Sequence, residues 1–260
     1  MPAAAALRIK ANVKAKAKPK AKPRRHDTHA TPSFAGVFDR LTRDIVSGRY
    51  PAGVRLPAER DLARLLGASR PTLREAFRRL GEWGLIAPRR GSGVVVRDIR
   101  DWSFDVLPAY LRAGDPTQIM PVVTDLLAVR RLVLIDILRL VAPRIVPGAL
   151  VEARAAATRA FAARHDVATF LREDFELVRA IPYAVKLFPA LWMLNGLARV
   201  YLDLARAVQG PALIPDDYLA TYSAIFTALE SLDADGASAI LARYLEAHDR
   251  RLLAALGGSP

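Results

Sequence analysis

The stretch "LPAERDLARLLGASRPTLREAFRRL", Leu56 to Leu80, followed at once by "GEWGLIAPRRGSGVVV", Gly81 to Val96, limits the fold more than any other part of the chain. Pro57 suits a first helical turn, Leu62, Leu65 and Leu66 point inward, and Gly67 is a stop, so one helix is complete in about three turns. Ser69 then offers its hydroxyl as a cap. Pro71 lies in a first turn, where its missing amide hydrogen has no partner to lose. In the helix so begun, Leu73, Ala76, Phe77, Leu80 and Trp83 share one face, and Arg74 and Arg78 lie one turn apart on another. Upstream, Phe34, Val37, Phe38, Leu41 and Ile45 give a helix ending near Gly48, and "YPAG", Tyr50 to Gly53, is a turn. Downstream, the β-prone runs Leu85 to Ala87 and Val94 to Val96 flank an Arg-Arg-Gly-Ser-Gly tip. Three helices and a basic hairpin make a winged helix-turn-helix, in which the later helix enters the major groove and the wing follows the backbone.

Charge is distributed to match. The 260-residue chain carries a net charge of +13. Residues 1–26 have nine Lys or Arg and no acid, residues 33–97 have 13 basic and six acidic residues, and residues 98–260 have 17 basic and 19 acidic. The positive excess therefore lies wholly in the first 97 residues, where a polyanionic partner belongs. "KANVKAKAKPKAKPRR", Lys10 to Arg25, holds six of the seven lysines. It is too polar to bury anything, so residues 1–30 are expected to be a disordered basic arm, either a cationic arm for phosphates or a solubilising leader. Cysteine is absent, which removes disulfides and thiolate metal sites. The apolar run at the start is too short for a signal-peptide core and no run approaches a membrane span, so a soluble cytoplasmic protein is expected.

From Trp102 onward no strand-like alternation of useful length occurs. Breaks at Gly114-Asp115-Pro116, Pro143 with Pro147-Gly148, His165-Asp166, Ile181-Pro182, Gly210-Pro211 and Asp233 to Gly236 divide this half into about seven helices. The helix from Pro121 to Val141 is apolar almost all round, which marks it as a core helix. The expected fold is mainly α. Its parts are a winged helix-turn-helix over residues 31–97, a linker with its helix over 98–116, and an all-helical effector-binding and dimerisation domain over 117–260.

Arg74 and Arg78 stand where a groove-inserted helix places bidentate donors for guanine. Ser69, Arg70 and Thr72 crowd the helix start, where amides and the dipole favour a phosphate. Arg89 and Arg90 suit phosphate or minor-groove contact, and Gly91 lets the tip turn. A solvated surface charge is the competing reading for any single arginine. In the helical half, Asp174, Arg179, Asn195, Arg199, Tyr222 and Tyr244 are polar groups on otherwise apolar helices and so candidates to orient a ligand in a pocket. Solvated faces and ordinary core tyrosines are the alternative. Asp125 and Asp136 face nearly the same way and mark either a cavity or an exposed edge.

"LPAER", "SRPTLREA", "GLI" and "RRGSGVVV", in that order, resemble the signature winged helix-turn-helix of the GntR family of bacterial transcription regulators. The resemblance implies that Arg60, Arg70, Thr72, Arg74, Arg90 and Gly91 occupy DNA-contacting positions. The helical remainder implies the subgroup with a helical effector domain, many of whose members hold a divalent metal with an Asp and three His. Here Val178 or Arg179, Tyr222 and Tyr244 stand where the histidines are expected, so no metal or other cofactor is expected. The departure points to the fatty-acyl-CoA-responsive, FadR-like branch. "EDFELVRAI", "MLNGLARVYLDL", "TYSAIFTAL" and "ARYLEAHDRRLL" resemble that branch's helices, and Trp102 matches its linker. The last helix departs from that branch, with Leu245, His248 and Leu252 where it places a small residue, a serine and a tryptophan; His248 is counted with the candidate effector residues.

The function expected is a ligand-responsive homodimeric transcription regulator on a near-palindromic operator in double-stranded DNA. A second reading is a structural protein coating DNA through the lysine arm by counterion release. An enzyme has little support, since there is no Gly-rich phosphate loop, no cysteine nucleophile and no metal-spaced cluster.

Overall fold

The computed structural model describes residues 33–91, 93–113, 116–207 and 214–255, apart from the side chains of 113, 116–118 and 199–207. The basic arm and the break at Gly210-Pro211 lie outside the described residues.

Helix α1 (Phe34–Val46) starts at Ser33, whose hydroxyl accepts from the Gly36 amide, and buries Val37, Phe38, Leu41 and Ile45. Helix α2 (Glu59–Leu66) ends at Gly67 in the left-handed conformation. Leu62 and Leu66 are buried, but Leu65 is 56% exposed, contrary to the inward position expected of it. A two-turn helix has one narrow buried stripe, and Ala63 rather than Leu65 completes it. Helix α3 (Arg70–Glu82) starts at Ser69, whose Oγ accepts from the Thr72 amide, and buries Leu73, Ala76 and Leu80.

Strands β1 (Ile86–Arg89) and β2 (Gly93–Val96) pair antiparallel with Ile86 opposite Val96 and Arg89 opposite Gly93. Arg55 bridges to Val95 as a third, one-residue partner. The strands run past Ala87, so Arg89 belongs to the ladder and the tip proper begins at Arg90. Gly91 and Gly93 turn that tip at φ +74° and +78°, in the left-handed region that favours glycine.

Two 3-10 turns, Ile99–Asp101 and Phe104–Val106, lead into the short helix α4 (Leu107–Ala113). This connection packs on the winged helix. Val106 is buried in the same core as Leu73 and Leu80, and Trp102 packs against it. The Ser103 amide donates to Trp83 O at 2.9 Å, and the Trp102 indole donates to Arg97 O.

The rest is helical: α5 (Pro116–Val141), α6 (Val151–Ala162), α7 (Val167–Ala184), α8 (Phe188–Ala207), α9 (Tyr218–Glu230) and α10 (Ala234–Ala255). With α4 these make seven helices after Trp102 among the described residues. Asp166 caps α7 by accepting from the Thr169 amide and hydroxyl. The Ile181-Pro182 break expected from the sequence does not occur. Pro182 lies buried inside the last turn of α7, where one missing amide costs little, and the chain turns at Lys186 with φ +55°. Helix α5 is also not buried all round. Val129, Leu132 and Leu140 are 55%, 63% and 52% exposed along one side, and Asp125 and Asp136 are exposed rather than turned into the interior.

Candidate DNA interface and effector cavity

On α3, Arg70, Arg74 and Arg78 follow one another at four-residue spacing and all are exposed. Arg74 reaches across to α2, with its Nε 2.9 Å from Glu59 Oε2 and its side chain 70% exposed. That pair ties the two helices of the motif together. An exposed pair of this kind is worth only about 0–1 kcal/mol, so Arg74 can exchange it for a base or phosphate at little cost. Arg78 is held more tightly, between Glu75 at 2.6 Å and Glu82. Its hydrogen bond to Glu75 raises its already high pKa and lowers that of Glu75. Two carboxylates around one guanidinium make Arg78 a poorer donor to a base than Arg74.

Ser69 and Thr72 hydroxyls are 2.7 Å apart at the helix start, beside exposed Arg70. Among the described residues no carboxylate pairs with Arg70, Arg89 or Arg90, whereas Arg60 has Asp61 at 3.7 Å and is 77% exposed. Arg60 therefore keeps the ion pair with Asp61 while remaining open to solvent. Arg89, Arg90 and Gly91 are exposed on the wing.

In the helical half a cavity of about 160 Å³ lies among α5, α7, α8, α9 and α10. Its wall is mostly Leu, Val and Phe. The polar exceptions are Arg130, Asp174, Tyr222, Tyr244 and His248. Four of the candidates read from the sequence thus meet on one wall. Arg179 and Asn195 do not. Arg179 turns to Glu176 at 2.7 Å and Asn195 is exposed, because each lies on the side of its helix away from the cavity-lining Val178 and Leu194. The Arg199 side chain lies outside the described residues.

Tyr218, missed in the sequence, is fully buried and donates its hydroxyl to Asp174 Oδ1 at 2.8 Å. Its ring packs on Phe170 and Tyr222 at 5.3 and 4.8 Å, and Tyr222 packs on Tyr244 at 5.7 Å, which in turn stacks on His248. Burial first, and the nearby Asp174 charge second, push the Tyr218 and Tyr244 phenols far above their ordinary range, so both stay neutral hydroxyls. Asp249, also missed, sits on the buried stripe with Leu241, Leu245 and Leu252. An acid on such a stripe was a readable signal. One residue of the linker, Phe104, forms part of the cavity wall. No group of three His, Asp or Glu among the described residues is placed to hold a metal.

Comparison with known proteins agrees with this architecture. Residues 35–96 match the family described as bacterial regulatory proteins, gntR family, and residues 125–247 match the FCD domain. The HTH-type transcriptional regulator Mce2R of Mycobacterium tuberculosis is 46% identical over 76 residues, 29% of this chain and 32% of that protein. The chain spans about a third of the length of the first curated relatives it matches. A fatty acid metabolism regulator protein of Pectobacterium carotovorum is 29% identical over 167 residues, 64% of this chain and 68% of that protein. Among solved structures, Lar, described as controlling the agr system of Listeria monocytogenes, shares the fold at a TM-score of 0.55 and 15% identity, over 86% of this chain and 96% of that one. The relatives are named as regulators and not as enzymes. With a winged helix of the gntR type followed by an FCD domain, the chain belongs to the GntR family of bacterial regulatory proteins.

Proposed function

We propose that this chain is a homodimeric, sequence-specific transcription regulator of the cytoplasm and nucleoid, whose DNA affinity is set by a small effector in the helical half. The observation that carries the reading is the pairing of two surfaces in one chain. Arg70 and Arg74 stand open on α3 beside an open basic wing, and a largely apolar cavity with convergent polar groups lies in the helical domain. The linker joins them, since it packs on the winged helix and lends Phe104 to the cavity wall. An effector that fits one spacing of the two DNA-binding heads better than another shifts the population between them. The exposed apolar side of α5, with Trp192 and Met193 of α8 also exposed, supports a second copy as the covering partner.

For the effector, the apolar wall and the likeness to the fatty acid metabolism regulator support a fatty acyl-CoA or a related carboxylate. Arg74→Ala tests the DNA reading. Removing one bidentate donor to a base should weaken binding by about 1–3 kcal/mol on the true site and by little on random DNA. Equal losses on both duplexes, measured by fluorescence anisotropy, would sink it and move the coating role of the basic arm ahead.

A further inference from the structure

The wing carries a second basic surface besides its tip. Residues 54–56 lie along β2 as an edge: the Gly53 amide donates to Val96 O, the Val96 amide to Val54 O and the Leu56 amide to Val94 O, each at 2.9 Å. Arg55 is thereby set beside Val95. Partners across a sheet share a face, and successive residues of a strand alternate between faces. Ile86, Val96 and Leu56 are buried and take the core face, which leaves Arg55, Val95, Gly93 and Arg89 on the outer one. The Arg55 side chain runs along that face. A Cβ built on Gly93 would lie 3.0 Å from Arg55 Nε and 3.2 Å from its Nη2, so the guanidinium reaches from the level of Val95 toward the tip and rests over the bare backbone of Gly93. Arg89 stands directly opposite Gly93 on β1. Both arginines are exposed, and among the described residues neither pairs with a carboxylate, whereas Arg49, Arg64 and Arg74 each have one within 3.4 Å. Two unpaired like charges on one face of a short sheet repel each other, and an anion between them removes that cost.

We propose that Arg55 and Arg89 together hold a backbone phosphate of the DNA on the outer face of the wing, with Gly93 as the floor on which the Arg55 guanidinium rests. The planar fork of a guanidinium matches a pair of phosphate oxygens. Width favours the backbone over the bases: three strands about 4.8 Å apart span about 10 Å, more than the minor groove of about 6 Å admits, and the major groove is taken by α3. Arg55, from the turn ahead of α2, thus joins the wing as a contact that fixes position without reading sequence. The assignment rests on the winged helix binding DNA.

The test is fluorescence anisotropy over a range of salt, titrating full-length wild type, Arg55→Gln, Arg55→Lys and Arg144→Gln against the duplex from upstream of the gene and a scrambled duplex. Arg144 is an exposed arginine of the helical half and serves as the remote control. Thermal melting checks each fold. Each phosphate neutralised contributes about 0.9 to the slope of log affinity against log salt. Arg55→Gln should therefore flatten the slope by about 0.9 for each DNA-binding head engaged and weaken binding about fivefold per head near about 0.15 M salt, alike on both duplexes. Arg55→Lys should restore the slope, and Arg144→Gln should leave it as in wild type. Gly93→Ala should weaken wild type more than it weakens Arg55→Gln, because only the guanidinium meets the added Cβ; equal losses overturn the part given to Gly93. A wild-type slope in Arg55→Gln overturns the phosphate contact. So does a loss confined to the upstream duplex, the mark of base reading, and so does an equal flattening by Arg144→Gln, the mark of a general field. If wild type prefers neither duplex, sequence reading fails while the slopes still decide the phosphate contact; if it binds neither, both fall together.

Discussion

Gly84→Ala gives the sharpest test of how the winged helix is fastened to its linker. Gly84 sits at φ +74°, and a Cβ built there would lie 2.1 Å from Asp101 O and 3.1 Å from Asp101 C. The left-handed conformation alone costs an L-residue about 1–2 kcal/mol. Relieving the clash means pushing the linker backbone away by more than an ångström. That strains packing by about 1–3 kcal/mol and stretches the Ser103 amide to Trp83 O bond, worth about 1 kcal/mol. The expected loss is therefore about 3–6 kcal/mol, from the backbone, overpacking and hydrogen-bond terms together. Gly53 supplies an internal control: its φ is +81° with nothing within 4 Å of the added Cβ, so Gly53→Ala should lose only the backbone term of about 1–2 kcal/mol. Both are read by urea unfolding in a Trp192→Phe background, which leaves Trp83 and Trp102 as the reporters of this half. If Gly84→Ala falls within about 1 kcal/mol of Gly53→Ala, the linker is not pinned against the winged helix, and the reasoning fails.

With octanoate as the probe carboxylate, Phe104→Ala at saturating probe should weaken the probe's effect on operator binding while leaving the operator affinity of the probe-free protein within about threefold of wild type, because Phe104 joins the cavity to the linker; an unchanged effect at saturation in the anisotropy assay would refute this. Tyr218→Phe removes a buried donor from Asp174 and should cost about 1–3 kcal/mol in unfolding free energy. Val178→Ala should extend the longest straight-chain acid accepted by at least about two carbons, since Leu134, Val178 and Tyr222 separate the main cavity from a smaller one of about 30 Å³; calorimetry over a chain-length series reads this. Hydrogen bonds from Thr169 hold the Asp166 carboxyl below its ordinary range, so its cap stabilises above the usual carboxylate pKa and is lost as pH falls through the lower folded value. Asp166→Asn should flatten the decline of melting temperature below about pH 4.

The DNA-binding half was legible because its signals are local. Ser69, Pro71 and Thr72 announce a helix start in any context, and Gly67 and Gly91 mark turns by backbone freedom alone. What was misplaced there turned on tertiary choices: Leu65 lost its place in the core to Ala63, and the strand ladder took in Arg89. The cavity was legible in part. Asp174, Tyr222 and Tyr244 stood out as polar groups on apolar helices, but Arg179 and Asn195 stood out equally and face elsewhere, because helical position relative to neighbours is not written in one helix. Arg130 and Asp249 lie 119 residues apart in sequence, and no local pattern pairs them. For α5, apolar residues on every side cannot distinguish burial in one chain's core from burial against a second copy.

The central claim, that this chain reads DNA sequence, is tested most directly by titrating full-length protein against the duplex from upstream of its own gene and against a scrambled duplex, by fluorescence anisotropy at one near-physiological salt concentration. The account predicts a preference of about a thousandfold or more for the upstream duplex. Equal affinity for the two duplexes, falling steeply and in parallel as salt is raised, would contradict it and leave counterion release to the basic arm as the whole of the interaction.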